Sequence, residues 1–287
     1  MRKNIAVLIG LIGALTAPAA AASCPGAAPL AAAVARAWEV RAPVRGLPAN
    51  LGMEQALCIR DRLIERLEAR FGRVIGYKAG LTNQALQQRF GHASPVRGAL
   101  FEKMLFPDST EVPVRFGARP AIEADLLVEV GDAAINDASS HLDALRALSK
   151  VIPFIELPDL GIAEGEPITA PKIVAINVGA RGGVLGKPVA VESSQAFADR
   201  LAAMRVVMRD ETGREVANSP GTAILGHPLN AVLWLIEDLR RSEIRLKAGD
   251  VLSLGSFSPL APPRPGGSYT VRYLGLPGEP EVSVRFE

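Results

Sequence analysis

The sequence predicts an α+β protein: a mixed, mostly antiparallel sheet preceded by a helical N-terminal segment. Three observations lead there. Residues 28–71 carry two stretches with apolar side chains at helical spacing. From about residue 95 the texture changes to short apolar runs broken by Gly and Pro, the pattern of strands and turns. The strands do not alternate regularly with helices, which argues against doubly wound and TIM folds.

Taken in order, Arg2 and Lys3 precede the apolar run IAVLIGLIGALTA, and small residues follow in PAAAASC. This is the tripartite pattern of a secretory signal over residues 1–22, cleaved after Ala22. The run is too short to remain as a comfortable bilayer anchor, so the mature chain is expected to be exported, to the periplasm. Cys24 and Cys58 are the only cysteines. In an oxidising compartment they could form one disulfide; two unrelated thiols are the other reading. Residues 23–75 form the helical segment. Within it, Met53, Ala56, Leu57, Leu63, Ile64, Leu67 and Phe71 recur at three and four, and Gly72 suits the C-terminal cap.

The remaining 76–287 is read as one catalytic domain. RVIGYKAGLT is a strand leading to a loop, and residues 83–90 a short helix. EVPVRF, AIEADLLVEV, VIPFIEL, KIVAINVG, AMRVVMRD, REVANS, DVLSLGSF, YTVRYLG and EVSVRFE are strand candidates, with DETG a hairpin turn. Two helices interrupt them, SSHLDALRALSK and PLNAVLWLIEDLRR. In the second, Leu229, Val232, Leu233, Ile236 and Leu239 form the expected buried stripe.

The chain has 287 residues, 48% hydrophobic and 22% charged, with net charge +2. Neither that balance nor 5% aromatics suits nucleic acid or an anionic membrane as partner. The informative stretch is PAIEADLLVEV. Glu123, Asp125 and Glu129 share one face of a strand whose other face is Ala124, Leu126, Val128 and Val130. Either that face is wet, or the acids converge on a cation; hard oxygen ligands of this kind suit Mg²⁺, Mn²⁺ or Ca²⁺. Glu156, inside the apolar VIPFIEL, needs a partner if buried: the same ion or an arginine. Lys78 sits between Gly76 and Gly80 as a candidate carboxylate binder or proton carrier, or as a plain solvated lysine. VGARGGVLGK matches neither a P-loop nor a dinucleotide fingerprint. His227, just before a helix, reads as a cap or packing residue.

Seven stretches together resemble a known family: GYKAGLTNQALQQRFG, PVRGALFEKML, ARPAIEADLLVEV, PFIELPDL, GTAILGHPLNAVLWLIEDL, LKAGDVLSLGSFSPLAPPRPG and VSVRF. They are similar, in order and from about residue 50 to the C-terminus, to the 2-keto-4-pentenoate hydratase branch of the fumarylacetoacetate hydrolase superfamily, which includes 4-oxalocrotonate decarboxylases. The resemblance implies that superfamily's β-roll. It implies metal ligands at Glu123, Asp125 and Glu156 for Mg²⁺ or Mn²⁺, with Asp125 shorter than the usual Glu. It gives Lys78 and Glu156 catalytic roles, and makes Lys78, Asn177, Ser256 and Ser258 substrate-binding residues. The implied reaction is hydration of a 2-hydroxy-2,4-dienoate to a 4-hydroxy-2-oxo acid. A decarboxylase of a 2-oxo dicarboxylate, or an exported 2-oxo-acid-binding pseudoenzyme, are the alternatives. Family members tend to form homo-oligomers. One departure stands out: where the family has an ADNAS-like stretch, this chain has AINVG, with Ile176 for an acid and Gly179 for a hydroxyl.

Overall fold

A computed structural model describes residues 24–287; the signal-peptide reading of residues 1–22 lies outside them. Helices α1 (Ala27–Glu39) and α2 (Met53–Phe71) form the N-terminal segment. Gly72, whose φ of 81° favours glycine, ends α2, and its N–H bonds the Glu68 carbonyl. The two helices are tied by a Cys24–Cys58 disulfide. Closing a loop over a separation of 34 residues is worth about 3–4 kcal/mol on the chain-entropy view. Leu57, one of the residues at helical spacing, is exposed, while Ile59, Leu63 and Leu67 carry the buried apolar stripe. That stripe packs on residues from later in the chain, including Phe101 and Ile173.

The chain then enters β1 (Val74–Gly80), α3 (Gln84–Arg89), β2 (Val96–Phe101), β3 (Leu105–Pro107) and β4 (Thr110–Val112). Strand β5 (Glu123–Val130), helix α4 (His141–Ala147) and strand β6 (Leu148–Leu157) follow. Next come α5 (Ala170–Ala175), β7 (Gly182–Leu185), β8 (Val189–Ala190), α6 (Gln195–Ala203), β9 (Arg205–Asp210) and β10 (Glu215–Pro220). The chain closes with α7 (Pro228–Arg241), β11 (Val251–Ser253), β12 (Ser268–Leu274) and β13 (Glu281–Phe286). No described helix is long and apolar enough to cross a membrane.

The strands make two sheets. The larger runs β2-β1-β11-β5-β6-β7-β3, with β8 beside β6; the smaller runs β10-β9-β12-β13-β4. Pairs β1/β11, β3/β7 and β4/β13 are parallel and the others antiparallel, so the mixed, mostly antiparallel α+β reading holds. The main core lies on one face of β5, at Ala124, Leu126, Val128 and Val130, against the smaller sheet and helices α4, α6 and α7. In α7, Leu229, Val232, Leu235, Ile236 and Leu239 are buried, each contributing about 1.5–3 kcal/mol. Leu233, placed in that stripe by its spacing, is only partly buried. His227 caps α7: its Nδ1 accepts the Leu229 N–H at 3.0 Å, the role read from the sequence.

Three differences have local causes. KIVAINVG is not a strand. Thr169 caps a helix by accepting the Lys172 N–H, and Pro171 fits its first turn, so residues 170–175 coil instead. EVPVRF pairs only as far as Val112. Strand β2 has no alternation to read because all six of its residues are buried.

Candidate active site

Four ionisable side chains gather at the end of the larger sheet. In the β5–β6 register Glu123 stands directly opposite Glu156, and Asp125 opposite Phe154. The period of two puts Glu123 and Asp125 on one face, and cross-strand pairing puts Glu156 beside them. Lys78 enters from β1, which pairs with β11 at Lys78–Ser253. Its Nζ donates to Glu156 Oε1 and, at 3.2 Å, to the Val178 carbonyl. In sheet order β1 and β6 are three strands apart, about 14 Å in a flat sheet. Two long side chains close that gap only because the sheet curls.

Asp125 is 0% exposed, which removes the solvated-face reading for it; Glu123, on the same face, is half-buried where it meets the cavity described below, and Glu156 is 2% exposed. Glu129, the third acid on that face of the strand, is spent on a cross-strand pair with Lys150 at 2.8 Å. Asp125 is held from both sides. Its Oδ1 accepts the N–H groups of Leu126 (2.5 Å) and Gly255 (3.0 Å), and its Oδ2 accepts the Ser253 hydroxyl at 2.6 Å. Gly255 has φ +114, and a Cβ there would lie 2.1 Å from Thr82 Oγ1, so only glycine brings that N–H to Asp125.

Burial, reinforced by the Glu156 charge, pushes Glu123 up to about 8 and Asp125 up to about 7. Burial works against the Lys78 charge as well. The carboxylates of Glu156 and Glu123 outweigh it and hold the Lys78 pKa above its ordinary value. Lys78 is therefore an ammonium near neutrality, a donor rather than a base.

A cavity of about 840 Å³ opens onto this cluster. Lys78, Glu123, Ser256 and Ser258 line it; Asp125 and Glu156 stand behind them. Leu86, Phe90, Ile168, Ile173 and Leu260 make the walls apolar. The serines also fasten β5 to the following loop. Ser258 Oγ accepts the Ala124 N–H at 2.9 Å, and Ser256 Oγ donates to the Ser258 carbonyl at 2.8 Å.

Asn177 is a correction. It does not line the cavity. Its side-chain oxygen accepts the Ala99 N–H at 2.7 Å and its amide donates to the Ala99 carbonyl at 2.9 Å, so the amide is wholly used in pinning β2. Asn177, Val178 and Gly179 all have positive φ (56, 54 and 68°). For β-branched Val178 this is a strained conformation, and it presents the Val178 carbonyl that Lys78 meets. Ile176 faces the apolar cluster under α1 and α2. Replacing Asn177 by Ala is expected to lower stability by about 1–3 kcal/mol, through the two lost bonds, with substrate affinity unmoved; thermal melts and a substrate titration check both halves.

Sequence reasoning missed Tyr273. From β12 of the smaller sheet, its buried hydroxyl donates to the Asp125 carbonyl and accepts the Phe154 N–H at 3.0 Å, joining β5 and β6 beside the acids. Burial pushes its pKa up, so it stays a neutral donor. Alternation in YTVRYLG marks Tyr273 as inward-facing, and nothing in the sequence says where it ends.

Among the described residues no three His, Cys, Asp or Glu side chains are already set around one point as a metal cage, because Glu156 turns to Lys78 and Asp125 to Ser253 and the backbone. The donor chemistry nevertheless fits a hard divalent ion. All the donors are carboxyl oxygens, and burial holds Glu123 and Asp125 protonated above the ordinary carboxylate range, so a divalent ion would take the place of those protons.

No protein-family model matches the chain. It is 30% identical, over 82% of its length and 85% of the relative's, to a 2-keto-4-pentenoate hydratase of Paraburkholderia xenovorans. It is 28% identical to a 2-oxo-hept-4-ene-1,7-dioate hydratase of Escherichia coli, over 83% of this chain and 88% of that one. Among solved structures, 4-oxalocrotonate decarboxylase from Pseudomonas putida G7, complexed with calcium and acetate, superposes with TM-score 0.78 at 28% identity, covering 91% of this chain and 97% of that one. By that identity and coverage, the chain belongs to the 2-keto-4-pentenoate hydratase family.

Proposed function

We propose that the protein is a metal-dependent hydro-lyase that adds water to a 2-hydroxy-2,4-dienoate of the 2-keto-4-pentenoate type, giving a 4-hydroxy-2-oxo acid. One observation carries the reading: Lys78 and Glu123, backed by Asp125 and Glu156, set one ammonium among three carboxyl groups at the mouth of a largely apolar cavity. The hydratase names of the relatives support it. The decarboxylase neighbour's complexes with calcium and with magnesium support a divalent ion, Mg²⁺ or Mn²⁺. Glu123, Asp125 and Glu156 would hold that ion. Bound there, it supplies Lewis acidity to a 2-oxo acid's carboxylate and 2-oxygen and eases the build-up of enolate charge.

The chain's own residues do the rest. Lys78, fixed by Glu156 and the Val178 carbonyl, donates a hydrogen bond to the substrate carboxylate from Nζ and carries a proton that can be passed to the carbon skeleton. Glu156 orients Lys78 and keeps it charged. Phe90, Leu86 and Ile173 hold the diene away from bulk water. Ser256 and Ser258 keep Glu123 in place through the backbone of Ala124.

The test is an assay with 2-hydroxypenta-2,4-dienoate. Dienol absorbance is expected to fall with added Mg²⁺ and to persist after chelation. Unchanged absorbance together with saturable oxalate binding would instead make the protein a 2-oxo-acid binder, a reading favoured by the AINVG loop, whose one polar side chain is sealed against β2. Decarboxylation of a 2-oxo dicarboxylate is the second enzymatic reading, favoured by the similarity to the decarboxylase; release of CO₂ separates it from hydration.

Export to the periplasm belongs to the same proposal, supported by the Cys24–Cys58 pairing, since disulfides persist in oxidising compartments. Protein recovered unreduced from a periplasmic extract is expected to begin at residue 23 and to show no free thiol; a retained Met1 or two titratable thiols would refute it.

A further inference from the structure

A second cavity, of about 250 Å³, lies between the C-terminal ends of α1 and α2 and the β3–β4 region. Its charge is one-sided. Arg41, Arg70, Lys103 and Arg181 line it, against Glu39 alone, which stands 3.8 Å from Arg70. Asp159 comes within 4.0 Å of Arg181 but does not line the cavity, and its carboxylate already accepts the N–H groups of Ala118 and Arg119. Four cations less one carboxylate leave a formal +3 facing the cavity among the described residues.

Arg181 is the built part of the site. Its side chain is 9% exposed. Its Nε donates to the Phe116 carbonyl at 2.8 Å and its Nη1 to the Trp38 carbonyl at 2.6 Å, and the guanidinium lies 3.7 Å over the Trp38 ring. These contacts fix the plane of the fork, and the remaining nitrogen, Nη2, is not sealed away as a buried unpartnered donor. Burial pulls Arg181 down to about 10; Asp159 opposes that fall, and the nearby Arg41 and Arg70 add to it. The other walls are flat and apolar: Trp38 and Phe71 meet edge to face at 4.4 Å, with Phe106 and Phe116 beside them.

We propose that this cavity binds a small organic anion, a flat aromatic or unsaturated body bearing one or two carboxylates, at a site separate from the Lys78–Glu123 cavity. The remaining Nη2 of a fixed guanidinium offers a charge-assisted hydrogen bond to one carboxylate oxygen, and ring walls suit a planar body. The volume admits a compact acid and is below the usual range for larger ligands. Leu157 and Gly182, partners across β6 and β7, form part of the wall, so the ligand lies one residue along the strand from Glu156.

Phthalate is the probe, titrated calorimetrically into the whole mature protein after chelation, so that no metal ion in the acidic cluster can hold a carboxylate. One saturable site per chain is expected, weakened by salt. Arg70→Glu and Lys103→Glu, both at exposed positions, should each weaken it by about tenfold or more with the melting temperature unchanged. Glu123→Gln should leave it intact, which separates this site from the proposed catalytic one. No saturable binding, binding indifferent to both reversals, or loss of binding in Glu123→Gln overturns the proposal. So does a changed oligomeric state in either reversed variant without phthalate binding to the parent protein, which would make this face a contact between copies.

Discussion

Lys78→Met is expected to lower turnover by about 10²–10⁴-fold and to destabilise the metal-free protein by about 3–5 kcal/mol. The two effects share one cause. Lys78 is 4% exposed and Glu156 2%, so neither charge has water to fall back on. Removing the ammonium leaves Glu156 facing Glu123 across the strand pair with nothing positive between them. The fold then either takes up protons or opens. Stability and chemistry come apart in a second variant: Lys78→Met with Glu156→Gln removes both members of the pair and should recover much of the lost stability while activity stays down. Lys78→Arg is the complementary control. It keeps the charge but changes its shape and donor geometry, so stability should hold better than turnover. Denaturant midpoints and steady-state rates on the three variants form the measurement. Full turnover in Lys78→Met would remove Lys78 from the mechanism.

What the sequence revealed about this site, and what it hid, follows from the range of the interactions involved. Glu123 and Asp125 are two apart on one strand, so their shared face is a local property and could be read directly. Glu156 was conspicuous because a lone acid inside VIPFIEL needs a partner. Its pairing with Lys78 was hidden: they are 78 residues apart and three strand positions apart in the sheet, and only curvature brings them together. Sequence patterns report which face a side chain takes, not how far a sheet bends. Asn177 went wrong for a related reason. An asparagine near the site looks like a substrate ligand, yet its geometry belongs to β2, a strand invisible to alternation because both of its faces are buried. The KIVAINVG stretch looked like a strand because Ile, Val, Ile and Val favour sheets. The Thr169 cap and Pro171, lying just before it, decide for helix. Helix α6 was legible and overlooked: Ser194 caps it, and Phe197 and Leu201 stand four apart on its buried side. Tyr273 illustrates the opposite limit. Its inward face is local information, but its bridge between β5 and β6 depends on how the two sheets pack.

Divalent-ion affinity is expected to rise with pH between roughly pH 6 and 8, by about tenfold per unit for each bound proton that gives way to the ion, and so most steeply below pH 7, where Glu123 and Asp125 both keep theirs. Burial, with the Glu156 charge added, raises Glu123 from 4.5 to about 8 and Asp125 from 3.8 to about 7. A raised carboxylate pKa means that the metal-free fold retains a proton the unfolded chain has already released. Below the ordinary carboxylate range both states are protonated and nothing is lost. As pH climbs from there through 7 and 8, the metal-free fold loses stability relative to the unfolded chain. An ion reverses the balance, because it binds the deprotonated cluster and supplies the positive charge that burial denies it. Melting temperatures at pH 6 and pH 8, with and without saturating Mg²⁺ or Mn²⁺, therefore make a crossed prediction. The metal-free protein should melt lower at pH 8 than at pH 6, and the upward shift on adding the ion should be larger at pH 8. Glu123→Gln keeps the shape and removes the titrating charge, so it should flatten the metal-free pH dependence and shrink the ion-induced shift together. An ion-induced shift of equal size in Glu123→Gln would place the ion elsewhere on the protein. A shift independent of pH would mean that no proton is exchanged for it, and that the buried negative charge around Lys78 is neutralised by something other than a bound cation.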